Sequence, residues 1–83
     1  DNLVGVFINL YKTSNGTVKI TGLTSGSTAT FSLFTTSGQE VFATKFSTQN
    51  VQEISLPASL SAGVYIVRVV SDSGTFHKKI IIE

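Results

Sequence analysis

Apolar and polar residues alternate with period two in short segments separated by turn residues, and no window of the chain holds apolar positions at helical spacing. That pattern predicts antiparallel strands, each burying one face, and no long helix. The first candidate strand runs from Leu3 to Tyr11, with Val4, Val6, Ile8 and Leu10 on one face. Ser14-Asn15-Gly16 follows, and its Asn15-Gly16 pair suits a tight hairpin because both residues tolerate positive φ. Thr17 to Leu23 is the second strand, with Val18 and Ile20 inward and Thr17, Lys19 and Thr21 outward. After the break at Ser25-Gly26-Ser27, Ala29, Phe31 and Leu33 alternate with Thr28, Thr30 and Ser32, whose hydroxyls are expected to face water.

The turn Ser37-Gly38-Gln39 leads into a fourth strand, Val41 to Phe46. A weaker fifth, Val51 to Leu56, stops at Pro57, which cannot donate to a sheet ladder. Ala58 to Ala62 reads as one helical turn or a loop. Val64 to Val70 is apolar on both faces apart from Arg68, the pattern expected of a central strand buried between layers. Asp72-Ser73-Gly74 then forms a hairpin into a last strand, Thr75 to Ile82. Seven short strands at this spacing predict a two-sheet antiparallel sandwich. With 83 residues, one domain spanning 1–83 is expected.

Composition narrows the chemistry. Cysteine is absent, so packing alone holds the core, and neither a thiolate metal site nor a thiol nucleophile is available. Eleven Ser and eleven Thr supply polarity where only 13 % of residues are charged. Six basic against five acidic residues leave no electrostatic footprint for nucleic acid or an anionic membrane. No apolar run reaches the roughly 18 residues of a membrane span. The start at Asp1 lacks the basic, apolar pattern of a signal peptide, as expected of a mature fragment cut from something longer.

Catalytic inventories are equally thin. A Ser-His-Asp arrangement would have to use His77, which the alternation puts on the surface of the last strand beside Lys79 and Ile81. Asp1, Glu40, Glu53, Asp72 and Glu83 are scattered, and Asp72 is expected to cap its own turn. Nothing unites Glu40 with Glu53 as a glycosidase pair, and no Asp/Asn-rich loop would hold calcium. Asn15-Gly16-Thr17 matches a glycosylation sequon, but the same residues are explained as a turn. No catalytic residue, metal ligand or cofactor is therefore assigned.

The specific signal lies in the C-terminal third. Leu56-Pro57-Ala58-Ser59-Leu60-Ser61-Ala62-Gly63-Val64-Tyr65-Ile66-Val67-Arg68-Val69, followed by Ser73-Gly74-Thr75-Phe76-His77-Lys78-Lys79-Ile80-Ile81-Ile82-Glu83, closely resembles the C-terminal sorting domain of type IX secretion cargo in Bacteroidetes. Members of that family end in a Leu-x-x-Gly-Val-Tyr-Ile-Val pattern, a hairpin and a Lys-Lys-Ile-Ile-Ile tail. Upstream, Leu33-Phe34-Thr35-Thr36-Ser37-Gly38-Gln39-Glu40-Val41 is similar to the family's Leu-Tyr-Asn-x-x-Gly-x-x-Val hairpin, with Phe34 for Tyr and Thr35 for Asn or Asp. Leu10-Tyr11-Lys12-Thr13 sits where many members carry Tyr-Pro-Asn-Pro and lacks the prolines.

The resemblance implies an Ig-like β-sandwich of the short, cleavable type A class, the Por secretion family. It implies cargo that crosses the inner membrane by the Sec route and then the outer membrane in folded form. A surface sortase would then remove the domain at a site upstream of Asp1, and the cargo would be released or attached to anionic lipopolysaccharide. The implied partners are the type IX translocon, the sortase and an upstream cargo domain, and the implied location is the cell surface or medium. The recognition residues implied are Gly63, Val64, Tyr65, Lys78, Lys79, Ile80, Ile81 and Ile82, with Asn15, Gly16, Gly38, Asp72 and Gly74 as structural turns.

Physical readings stand beside these roles. Gly63 permits a positive φ or a bulge where the chain enters its strand. Tyr65 is expected to bury its ring while its hydroxyl reaches a loop carbonyl. Lys78 and Lys79 point to opposite faces, so they are not expected to form one basic patch, and at least one should guard an exposed edge. A terminal strand with an open edge is also suited to β-augmentation. The alternative function is an accessory carbohydrate-binding or adhesive sandwich, for which Phe34, on the Thr face of its strand, is the one aromatic placed to stack on a sugar.

Overall fold

The computed structural model describes residues 8–14, 16–23, 25–72 and 74–83. Among these residues seven strands are present: β1 (Asn9–Ser14), β2 (Thr17–Thr21), β3 (Thr28–Thr35), β4 (Glu40–Ser47), β5 (Val51–Ser55), β6 (Gly63–Ser71) and β7 (Gly74–Ile82). They form an all-β sandwich of Ig-like type, with no helix among the described residues. One sheet has the order β1-β2-β5 and the other β4-β3-β6-β7, and every pairing is antiparallel. The chain therefore changes sheet after β2, β4 and β5.

Alternation decides what each strand buries. Val18 and Ile20 from β2 meet Ala29, Phe31 and Leu33 from β3, Tyr65, Val67 and Val69 from β6, and Ile80 and Ile82 from β7 in one core. Leu10, Val18, Ile20, Phe31, Leu33 and Val67 lose all contact with solvent. Full burial of each such side chain is worth about 1.5–3 kcal/mol. Phe42 and Phe46 on the edge strand β4 are half-buried against this core, and the Phe42 ring stands edge-on to Phe31 with centroids 6.2 Å apart.

Backbone bonds tie the sheet-changing loops together. Thr48, buried in the β4–β5 connection, donates its amide to the Ser27 carbonyl at 2.8 Å, and its hydroxyl accepts from the Ser27 amide at 3.1 Å. The Leu56 amide donates to the Gly16 carbonyl at 2.8 Å, fixing the exit of β5 against the first hairpin. At Gly38 the φ of +94° is what the β3–β4 turn requires, and its amide donates to the Thr35 carbonyl.

Three details depart from the sequence reading. The first strand extends to Ser14 instead of ending at Tyr11, with a bulge between Lys12 and Ser14, while Val4 and Val6 lie outside the described residues, as do the turn residue Asn15 and Ser73. Ser32 is buried where a water-facing hydroxyl was expected, because it lies mid-sheet with Ala43 on one side and Arg68 on the other. Of the two readings of Ala58 to Ala62, the structure has the loop, as the sequence allowed. β6 is interior to its sheet, between β3 and β7, yet it is not sandwiched between layers. Its outward face is open, leaving Val64 and Val70 exposed, because the described residues form two layers and none of them covers the second face.

Candidate functional site

Pairing of β6 with β7 makes neighbours of two motifs that stand far apart in the chain. Gly63 pairs with Ile82, Val64 with Ile81, Tyr65 with Ile80, Ile66 with Lys79 and Val67 with Lys78. The residues from Gly63 to Tyr65 and from Lys78 to Ile82 therefore form one end of a single hairpin. At its start Gly63 has a φ of +153°, within the range that L side chains rarely adopt. The turn residues Asp72 and Gly74 lie at the other end of the same hairpin, where Ser71 pairs with Gly74.

Side-chain direction divides this set. Tyr65, Ile80 and Ile82 point inward and belong to the core. The Tyr65 ring is buried, and its hydroxyl donates to the Ser61 carbonyl at 2.6 Å, bracing the loop that leads into β6. Tyr65→Phe, which removes only that hydroxyl, is expected to lower stability by about 1 kcal/mol, read as a shift of the urea midpoint with unchanged slope. Val64, Lys79 and Ile81 point outward, with Ile81 the most open large apolar residue described at 55 %.

β7 is an edge strand, and so is β1 in the opposite sheet; at this flank of the sandwich the two edges approach each other. Lys12 and Lys78 both lie on the inner faces of their strands, and they cross the gap reciprocally. Lys78 Nζ donates to the Leu10 carbonyl at 2.7 Å, and Lys12 Nζ donates to the Ile81 carbonyl. Inward-pointing lysines at a sheet edge satisfy backbone acceptors that would otherwise template pairing with another chain. A groove of about 310 Å³ between the two edges is lined by Lys12, Lys78, Lys79 and Glu83 among others. Lys78 and Lys79 do leave the strand on opposite faces, as alternation requires. They nevertheless line one groove, because β7 is the rim of its sheet and the groove wraps around it.

The outer face of the larger sheet carries a second grouping, which the sequence reading did not assemble. Phe34 of β3 is level with Ile66 of β6 and Lys79 of β7, while Ser32, Arg68 and His77 form the adjacent row. The Arg68 guanidinium lies over the Phe34 ring, its carbon 4.9 Å from the centroid. A sugar would need that ring face, so the stack counts against Phe34 as a carbohydrate platform. His77 is exposed beside Lys79, as expected. Arg68 stood out in the sequence as the polar interruption of an apolar run, but nothing local linked it to Phe34. Lys12 was noted only within Leu10-Tyr11-Lys12-Thr13, with nothing to mark it as a partner of the last strand.

No group of three His, Cys, Asp or Glu side chains among the described residues stands close enough to hold a metal ion. No described helix is long and apolar enough to cross a membrane.

Two sheets of three and four antiparallel strands, with three changes of sheet and the sequence motif gathered on one terminal hairpin, define a small Ig-like sandwich module whose distinctive surface is that hairpin. The family model for the secretion system C-terminal sorting domain matches residues 10–83, and the chain belongs to that family. It is thus a type IX secretion sorting domain, a signal for export to the cell surface or the extracellular space. No curated protein matches the chain.

Proposed function

We propose that residues 1–83 act as one sorting domain, without catalytic activity of their own, that the type IX translocon reads and a surface sortase then removes from an upstream cargo. The cargo is released or attached to the surface. Support comes from one observation above all: the family motif folds into a single hairpin end in which Gly63, Val64 and Tyr65 pair with Ile82, Ile81 and Ile80. Within that end, Tyr65, Ile80 and Ile82 act by building the core, while Val64, Lys78, Lys79, Ile81 and the backbone rim of β7 are the parts a partner meets.

The rim favours recognition by strand addition. Ile81 directs its carbonyl away from β6, so Lys79 and His77, at the same parity, direct their backbone groups outward as well. The Ile81 carbonyl is taken by Lys12, so an incoming strand gains affinity from the backbone groups of His77 and Lys79 and specificity from alternate side chains.

A test fuses residues 1–83 to a fluorescent protein that carries a Sec signal peptide, expressed in a Bacteroidetes host with a working type IX system. Fluorescence is expected on the cell surface or in the medium, with the cargo shortened by removal of the domain. Retention of the intact fusion in the periplasm would refute the reading.

A further inference from the structure

The outer face of β3, β6 and β7 holds a cation whose environment the fold does not complete. Arg68 is half-buried, stacked on Phe34, and its Nε is buried with no hydrogen-bond partner. A guanidinium has five donors in a rigid fork, and a buried donor left unmet is costly. His77 stands directly across from Arg68, and Lys79, one pair further along β7, is its diagonal neighbour. Beside these three residues, Val64 at 39 % and Ile81 at 55 % exposure form a cross-strand apolar pair, with Ile66 between them and Phe34.

We propose that Arg68, held on Phe34 and bracketed by His77 and Lys79, is a carboxylate-binding site that docks an acidic side chain of a partner protein, whose neighbouring apolar residues cover Val64, Ile66 and Ile81. The stack fixes the guanidinium before binding, so little side-chain freedom is lost when a carboxylate arrives. Partial burial strengthens the charge-assisted bonds. The apolar neighbours select a protein partner over a free anion, since a phosphate would leave Val64 and Ile81 uncovered. A face of this size gives a weak, reversible contact, as suits a domain that is handed from one partner to the next. This goes beyond the strand-addition reading of the β7 rim, because it concerns the sheet face and its side chains and stands or falls separately.

The ¹⁵N-labelled 83-residue chain, titrated with acetyl-Leu-Glu-Leu-amide, tests it by NMR. The peptide is expected to move the Arg68 Nε–H resonance together with the amides of Val64 to Arg68 and His77 to Ile81. Half-saturation is expected at a concentration about tenfold below that of the Gln counterpart, the difference one charge-assisted hydrogen bond supports. Arg68→Gln should abolish the difference between the two peptides, and Arg68→Lys should reduce it severalfold, both with the strand amides otherwise unchanged. If Arg68→Gln does not fold, the comparison of the two peptides on the unaltered chain still decides. Equal titration by the Glu and Gln peptides would overturn the proposal. So would the same shifts produced by inorganic phosphate at equal concentration, or shifts that follow protein concentration without peptide, which would mark a second copy of the chain as the occupant.

Discussion

Phe31→Ala is expected to leave the chain at the edge of unfolding at 25 °C. Among the described residues Phe31 is the largest side chain with no solvent exposure, and it stands in β3, the strand that joins β4 to β6. Truncating a buried Phe costs about 3–5 kcal/mol through lost transfer energy and the cavity left behind. A domain of this length has a total stability of only about 4–12 kcal/mol. With no disulfide available, nothing covalent offsets the loss. Urea denaturation followed by far-UV circular dichroism should show the midpoint falling by roughly 2–4 M, or no folded baseline at all. Val41→Ala, on an exposed side chain, is the control and should stay within about 0.5 kcal/mol of the parent. A small effect of Phe31→Ala would mean that the two sheets do not share the core described.

The second large effect separates folding from recognition. Deleting residues 78–83 removes the family's lysine and isoleucine tail, and an export defect would be natural to read as loss of the signal. The structure assigns that deletion another consequence. Ile80 and Ile82 are core residues, and the deleted segment pairs with β6 from Gly63 to Val67. Losing two buried isoleucines costs about 2–5 kcal/mol each, a total comparable to the whole stability of the domain, and the lost pairing with β6 adds to it. The truncated chain should therefore lose its near-UV signal and cooperative melting, and its export failure would say nothing about contact with the translocon. The informative variant is Lys79→Glu with Ile81→Thr, since both side chains point outward from the edge strand. That pair should melt within a few degrees of the parent, as surface changes do, while export of the fluorescent fusion falls severalfold. Export at the parent level from the folded double variant would remove Lys79 and Ile81 from the recognised surface. A cooperative melt from the truncated chain would overturn the core assignment of Ile80 and Ile82.

Lys12 and Lys78 show why an edge strand resists reading from sequence. Lys78 was legible as a polar residue in an alternating strand, and Lys12 lay just past the end expected for the first strand, but their partner carbonyls lie 69 residues from Lys12 and 68 from Lys78. The same holds for the motif itself. Its two halves were visible as Gly63-Val64-Tyr65 and as the segment from Lys78 to Ile82, and their resemblance to one family was legible without coordinates. Their register against each other was not, nor was the division into core-building and outward side chains, because that depends on which face of β6 the second sheet covers.

What the sequence by itself determined is the list of strands and most of their inward residues. Val18, Ile20, Ala29, Phe31 and Leu33 were legible because the two-residue period is a local property of extended backbone, written between near neighbours. Tertiary structure alone decided that β6 lies between β3 and β7, that β7 is a rim facing β1, that Ser32 is covered, and that Arg68 rests on Phe34 with its Nε unmet. The physical reason is one of range. A strand's alternation says which side chains share a face, whereas the partner that covers the face is chosen by packing between segments that are distant in the chain.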